Sequence, residues 1–293
     1  MKYNQRKPSN ITIEQAFRHI LLRELKSIRK WRKVAIKGHD PEGIHQIRIS
    51  LRRIRTALLI FKPVINTKFS QVLAIKLKKY AAVLDDARDL DVYILTHFTD
   101  EPDSTIKSSA MTQRSQAYQR VRKSLKSKRF NKQLAAAKIW LKKGHWQKKI
   151  IHHKKLNISL KEFAVSTLDA LINIIIIKGQ QPDQLDTLAL HKLRIDCKKL
   201  RYATEFFIPL YDNKLTLTFI EELKQLQDSL GDIHDAFIQK KLHLRLLQKD
   251  EKIHLTSASQ QIMLQIDHVE EVKKLHLSEQ LAAFCNTEYP WRV

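Results

Sequence analysis

Two short basic runs, one in each half of the chain, are the residues best suited to bind a ligand. The first run, HQIRISLRRIR, occupies residues 45–55, and the second, HKLRIDCKKLR, occupies residues 191–201. Each run begins with a histidine, and Lys or Arg stands at the fourth, eighth, ninth and eleventh positions of both. Guanidinium and ammonium groups form charge-assisted hydrogen bonds with phosphate and carboxylate oxygens. The residue types and their spacing therefore predict a site that binds an anion.

Helical spacing places the cations of each run on one face of a helix. At 100° per residue, they fall on an arc about 80° wide. We name these arcs the first stripe, which is His45, Arg48, Arg52 and Arg55, and the second stripe, which is His191, Arg194, Lys198 and Arg201. Arg53 and Lys199 lie off the stripes. An adjoining apolar arc is suited to the core of a helix bundle, and it consists of Ile47, Leu51, Ile54 and Leu58.

An internal repeat relates the two runs. Shifting the chain by 146 residues aligns them without a gap, and the same offset aligns Lys78 with Lys224. It also aligns two pairs of aspartates, Asp86 with Asp232 and Asp89 with Asp235. The repeat indicates a duplication, and we expect a pseudo-two-fold arrangement of two related halves.

The net charge points to an anionic partner. It is +24 for the whole chain, and residues 1–150 hold 35 basic and 11 acidic residues, whereas residues 151–293 hold 19 of each. The second half is neutral overall and still keeps its stripe, so the stripe is not simply a result of a high content of Lys and Arg. Between residues 104 and 161 there are 17 lysines and arginines and no acidic residue until after Lys161. This stretch is either a solvated helix face or a direct contributor to anion capture.

Carboxylates could compensate the stripes in part. Asp86, Asp89, Asp232 and Asp235 are spaced three residues apart within each pair, so each pair shares a helix face. They could orient the arginines or hold Mg²⁺ through oxygen ligands, and we favour orientation. Four carboxylates cannot neutralise both basic runs, so a net positive site for an anion would remain. His145, His152 and His153 have no fixed third ligand nearby and are weak evidence for a metal site. We predict no metal and no cofactor.

The elements that must position these residues are helices. Only five Gly and seven Pro stand among 293 residues, and the few helix-stopping signals separate segments of helical length. The predicted all-α helices span residues 11–37, 44–62, 67–98, 110–142, 157–178, 185–208, 214–248 and 255–286. Four helices fall in each half, which predicts a four-helix bundle in residues 1–150 and a second in residues 151–293. The N-terminus lacks the apolar stretch of a signal peptide, and the apolar runs are too short for a membrane span, so we expect a cytoplasmic protein.

The paired motifs resemble the CHAD domain, the conserved-histidine α-helical domain. The resemblance rests on the two basic runs, on the continuation YATEFF after Arg201, and on Leu230-Gly231-Asp232 with Asp235. It implies two four-helix bundles related by pseudo-two-fold symmetry around a basic central cavity that binds inorganic polyphosphate, and hence a role in phosphate metabolism. Carried over by position, the polyphosphate-binding residues would be His45, Arg48, Arg52, Arg53, Arg55, Lys78, His191, Arg194, Lys198, Lys199, Arg201 and Lys224. The chain departs from the family pattern at His234, which stands opposite Arg88 in the repeat.

Catalysis is not implied by the resemblance. Many CHAD domains are attached to a triphosphate tunnel enzyme with a Glu-x-Glu-x-Lys signature, and this chain has no such motif. We therefore predict a non-enzymatic binding protein, for which recruitment to polyphosphate granules is a compatible role. The main alternative is a basic nucleic-acid-binding protein, and the stretch 104–161 supports it. A less favoured alternative is an enzyme with metal held by the aspartates.

His45 and His191 could donate hydrogen bonds to phosphate, or they could hold two helices together through hydrogen bonds, and both roles stay open.

Overall fold

Helices account for the secondary structure of this chain wherever it is described. The structure is a computed structural model that describes residues 11–98, 105–144, 158–180, 185–247 and 257–292. Within those ranges there are ten α-helices and no strand, which confirms the predicted all-α class. The helices are α1 Ile13–Lys37, α2 Glu42–Ile60, α3 Lys68–His97, α4 Thr105–Lys126, α5 Lys128–Lys143, α6 Leu160–Gly179, α7 Thr187–Phe207, α8 Asn213–Leu247, α9 Ser257–Leu275 and α10 Leu277–Cys285.

Side-chain caps fix where the stripe-bearing helices begin. The Asp186 carboxylate accepts a hydrogen bond from the backbone N–H of Ala189 at 2.7 Å and so caps α7. Before α2, the Asp40 carboxylate accepts from the N–H of Glu42 at 2.8 Å. Both bonds satisfy a donor that the first turn of a helix leaves without an intrahelical partner. The histidine of each stripe therefore stands close to a capped helix start.

Two of the predicted helices are each broken into two. The segment predicted as one helix over 110–142 ends at Lys126 and begins again at Lys128. Ser127 causes this break, because its hydroxyl donates to the carbonyl of Ser124 at 2.7 Å and accepts from the N–H of Phe130 at 3.1 Å. The segment predicted over 255–286 is also interrupted, at His276, which makes no side-chain cap to the following helix.

The described chain forms two compact units, each with helices from separate parts of the sequence. The first-stripe unit comprises residues 18–153 and 238–266. The second-stripe unit comprises residues 1–17, 154–237 and 267–293. Helix α8 contributes residues to both units. The boundary between residues 150 and 151 follows from the repeat in the sequence, and it stays a prediction.

The core of the first-stripe unit is built on the predicted apolar arc of α2. Ile47, Leu51, Ile54 and Leu58 are all buried. Near the start of α2, a Cβ on Gly43 would lie 2.5 Å from the backbone nitrogen of Ala35 in α1. Glycine therefore allows α1 and α2 to approach closely at this point.

No helix in the described part of the chain is long and apolar enough to span a lipid bilayer.

Candidate anion-binding site

Arg48 is the most enclosed cation of the first stripe. Its Nη1 lies 3.1 Å from Oδ1 of Asp85 and 3.8 Å from Oδ1 of Asp89, and it donates to the Asp85 carbonyl at 3.2 Å. The side chain is 17% exposed. Burial lowers the pKa of Arg48, the two carboxylates oppose that effect, and arginine stays charged at neutral pH. Helix α3 therefore holds this guanidinium in a fixed orientation at the edge of the stripe.

Arg52 and Arg55 continue the first stripe along α2 and are only half-buried. Among the described residues, no carboxylate forms an ion pair with either of them. Burial lowers the pKa of Arg55, the neighbouring charge of Arg52 lowers it further, and the Asp85 carboxylate acts in the opposite direction. Two cations that repel each other thus keep donors available for an external anion.

His45 stands at the start of the first stripe, in a positive environment. Burial lowers its pKa, and the charges of Arg88, Arg48 and Arg52 act in the same direction. The Glu42 carboxylate acts in the opposite direction. The neutral imidazole is therefore favoured until an anion arrives to stabilise the charged form.

In the second stripe, a carboxylate again orients the arginine that follows the histidine. Nη2 of Arg194 lies 3.2 Å from Oδ1 of Asp235, and the Arg194 side chain is 13% exposed. The same oxygen lies 3.1 Å from Nδ1 of His234. Burial would raise the pKa of Asp235, but the hydrogen bond with His234 and the charges of Arg194 and Lys198 outweigh burial and lower it. Asp235 is therefore ionised, and the positively charged and hydrogen-bonding groups around it stabilise its charge.

The histidine of the second stripe is stacked on another histidine. The ring centroids of His191 and His234 lie 4.7 Å apart, with 23° between the ring planes. Burial lowers the pKa of His191, and His234, Arg194 and Lys198 lower it further. As in the first stripe, the free protein favours the neutral imidazole.

Arg201, at the far end of the second stripe, is better compensated than its counterpart Arg55. Its Nη1 lies 3.2 Å from Oε1 of Glu205, and its Nε donates to Oε1 of Gln227 at 2.9 Å. The repeat has no equivalent of Glu205 in the first half, because Leu59 stands at that position. The first stripe therefore keeps more unneutralised positive charge at this end.

The two off-stripe cations have partners within the fold. Nε of Arg53 lies 3.0 Å from Oε1 of Glu24 in α1, a carboxylate whose side chain is 7% exposed. Lys199 donates to Oδ1 of Asp196 at 2.7 Å, and Lys178 pairs with the other oxygen of the same carboxylate. The repeat places cations at equivalent positions in both halves, and in each half the cation contacts a buried carboxylate.

Lys78 and Lys224 are exposed, on α3 and α8. Nζ of Lys224 lies 3.4 Å from Oε1 of Glu221, and Lys78 has no ion-pair partner in the described part of the chain. These two lysines stand apart from the ion pairs that build the stripes.

Residues 19–243 match the family model of the CHAD domain. The chain belongs to the CHAD domain family. The matched range includes both stripes and the aspartates that contact them, so the resemblance read from the motifs is confirmed for the family. The search of curated proteins finds no match.

Two solved structures show the same fold as this CHAD domain. The CHAD domain from the plant Ricinus communis aligns with a TM-score of 0.79 and 23% sequence identity, covering 94% of this chain and 93% of that one. PptA from Streptomyces chartreusis aligns with a TM-score of 0.64 and 14% identity, covering 92% of this chain and 99% of that one. At such low sequence identities, the structural similarity shows only that the fold is shared.

The CHAD aspartates divide into two kinds in this structure. Asp89 and Asp235 contact the arginines of the stripes, as expected, but Asp86 pairs with Arg120 and Arg245 at 2.7 and 3.1 Å. Asp232 likewise pairs with Lys273 of α9 at 2.9 Å. Sequence reasoning missed Asp85, although it lies four residues before Asp89 and therefore on the same helix face. Glycine stands at its counterpart, Gly231, so the second stripe lacks this carboxylate.

No group of three or more His, Cys, Asp or Glu side chains able to hold a metal ion occurs in the described ranges. His145, His152 and His153, which were considered as metal ligands, lie outside the described residues.

Proposed function

We propose that this CHAD domain binds inorganic polyphosphate non-covalently through the cations of its two stripes. The observation that carries the proposal is the state of Arg52 and Arg55. They lie half-buried on α2, and no described carboxylate lies within ion-pair distance of either, although Asp85 acts on Arg55 from farther away. A site assembled with an excess of fixed positive charge favours a linear polyanion over a small neutral ligand.

The spacing of the stripes suits a repeating chain of phosphates. Arg48, Arg52 and Arg55 succeed one another at about one turn of helix, or ~5.4 Å along the axis. Each guanidinium can hold two phosphate oxygens at once. Asp85 and Asp89 fix Arg48 before the ligand arrives, which reduces the entropy lost on binding. Counterion release would supply much of the affinity and make it depend steeply on salt, as for nucleic acids.

Binding without hydrolysis is the second part of the proposal. The carboxylates at the stripes, Asp89 and Asp235, are occupied in orienting arginines. The hydroxyl and thiol within the two basic runs, those of Ser50 and Cys197, are buried and so are not presented to a ligand as nucleophiles. We infer a cytoplasmic protein that holds polyphosphate and thereby associates with polyphosphate granules.

Nucleic acid is the alternative ligand, and the exposed cations of α4 and α5 are the observation that favours it. Lys123, Lys126, Lys128 and Arg129 are all exposed on these helices. Against a base-stacking site at the stripes, the aromatic ring next to Arg201, that of Tyr202, is itself buried. The stripes therefore offer phosphate-binding groups without a platform for bases.

A competition titration tests the proposal. Labelled long-chain polyphosphate is bound to the purified full chain and displaced with single-stranded or double-stranded DNA of matched phosphate concentration, at near-physiological and at several-fold higher salt. We expect polyphosphate to outcompete both DNAs and to remain bound where DNA is lost. Equal competition at both salt concentrations would reduce the stripes to a general basic surface.

The matched variants are Arg52→Gln with Lys198→Gln, one cation from each stripe, and Lys126→Gln with Arg129→Gln on α4 and α5. The stripe pair should weaken polyphosphate binding, and the control pair should leave it unchanged. The opposite pattern would move the site to the basic helices. Circular dichroism checks that all variants keep their helices.

A further inference from the structure

A small pocket in the first-stripe unit carries a second set of anion-binding groups, away from the stripe. Its volume is about 160 Å³, and α3, α4 and the C-terminal part of α8 supply its walls. The lining residues are Asp86, Leu90, Gln113, Gln116, Arg120 and Arg245. Asp86 follows Asp85 directly in sequence, but a helix turns by 100° between neighbours, so the pocket opens on a different face of α3 from the one that holds Arg48.

The two arginines are held in place and still have donors left. Nη2 of Arg120 donates to one oxygen of Asp86 at 2.7 Å, and Nη1 of Arg245 donates to the other at 3.1 Å. Each guanidinium carries five N–H donors, and one of them makes the hydrogen bond to Asp86. The Asp86 carboxylate therefore orients both guanidinium groups and leaves most of their N–H donors for another acceptor.

Gln113 supplies an independent sign of a missing acceptor. Its side chain is 8% exposed and lines the pocket, and its amide nitrogen is buried without a hydrogen-bond partner in the described structure. A buried donor left without an acceptor costs about 1–3 kcal/mol, so native proteins rarely retain one without a reason. An acceptor bound in the pocket would remove this cost.

We propose that this pocket is a phosphate-binding subsite that takes one phosphate group, as the free ion or as the end of a chain. In the proposed complex, Arg120 and Arg245 donate to the oxyanion from two sides, and the Gln113 side chain turns its buried amide nitrogen toward the same ligand. A cation is disfavoured because two guanidinium charges exceed the single carboxylate charge. The subsite goes beyond the binding proposed for the stripes and does not depend on it.

Side-chain amide signals of Gln113 report on the pocket directly. They are identified in ¹⁵N-resolved NMR spectra of the full chain by their absence in Gln113→Leu. We expect sodium phosphate to shift them saturably, and sodium acetate at matched ionic strength to leave them in place. A shift with orthophosphate identifies the free ion as ligand, and a shift with tripolyphosphate alone identifies a chain end. No shift with either phosphate, or an equal shift with acetate, would overturn the subsite.

Variants separate the pocket from the stripe. Arg245→Gln removes one fork and should weaken phosphate binding at least about tenfold, whereas Arg129→Gln, an exposed arginine of α5 in the same unit, should not change it. The stripe variant Arg52→Gln with Lys198→Gln should keep the phosphate-induced shift of Gln113. If that variant loses long-chain polyphosphate while the shift persists, the stripe proposal and the subsite both stand. If Arg245→Gln leaves the phosphate affinity unchanged, the subsite is wrong whatever the stripe does.

Discussion

Neighbouring arginines on α2 should have different roles, with some binding the ligand and another stabilising the fold. No described carboxylate lies within ion-pair distance of Arg52 or Arg55, whereas the intervening Arg53 contacts the Glu24 carboxylate at 3.0 Å. We therefore compare the double variant Arg52→Gln with Arg55→Gln against the single variant Arg53→Gln. The first should lose polyphosphate affinity with the fold intact, and the second should lose stability with the affinity retained.

The magnitudes follow from the contacts. Each cation that neutralises a phosphate of a single-stranded polyanion contributes about 0.7 to the slope of log affinity against log salt. Removing Arg52 and Arg55 should therefore lower that slope by about 1.4, and two contacts of roughly 1 kcal/mol each should weaken binding about 30-fold at low salt. Arg53→Gln leaves Glu24, whose side chain is 7% exposed, with Arg23 at 3.0 Å as its remaining ion-pair partner. We expect a loss of about 1–2 kcal/mol in the free energy of unfolding.

Calorimetric titration at several salt concentrations gives the slope, and urea unfolding gives the stability. Double and single variants that lower the slope equally would refute the assignment, because they would show that Arg53 reaches the ligand despite its contact with Glu24. An unchanged slope in the double variant would refute the role of the stripe itself.

Three further changes test the packing and the protonation of the site. Gly43→Ala should destabilise the protein by about 1–3 kcal/mol in urea unfolding, since the new Cβ would lie 2.5 Å from the Ala35 nitrogen; unchanged stability would contradict that close approach. Tyr93→Phe should cost about 1–3 kcal/mol in the same assay, because Nδ1 of buried His243 loses a 2.7 Å hydrogen bond. Burial lowers the pKa of His191, so the folded protein binds this proton less readily than the unfolded chain, and stability should fall as pH drops below about 6.5. Bound polyphosphate should raise the proton affinity of His191, so that binding is accompanied by proton uptake. Calorimetric titration in buffers of different ionisation enthalpy measures this uptake, which should be smaller in His191→Gln.

The all-α class and the core-facing side of α2 could be predicted because they depend on local periodicity. Residues of the apolar arc recur at helical spacing, and Ile47, Leu51 and Ile54 are buried as that spacing requires. The breaks at Ser127 and His276 could not be placed in this way. Serine is tolerated inside helices and also caps them, and the choice between the two depends on whether packing favours a change of direction.

The two stripes could be identified from the sequence, and their role as a binding site stays a prediction; the carboxylates that contact them could be identified only in part. The repeat identified both stripes, and the family model that covers them confirms the family assignment. Asp86 and Asp89 looked equivalent in sequence, yet Asp89 contacts Arg48 while Asp86 pairs with Arg120 and Arg245. Arg245 lies far along the chain in α8, and no local pattern indicates that it meets α3.

The sequence by itself determined which residues carry positive charge, that they share one helix face, and that the pattern occurs twice. These properties depend on residue type and on the fixed rotation of a helix, so they need no knowledge of distant partners. The tertiary structure decided which cations are neutralised. Arg53 and Arg201 lie within ion-pair distance of carboxylates, no described carboxylate lies that close to Arg52 or Arg55, and the buried Gln113 amide nitrogen has no hydrogen-bond partner in the described structure. Ion pairing requires atoms within about 4 Å, and only the packing of helices that are distant in sequence brings such atoms together.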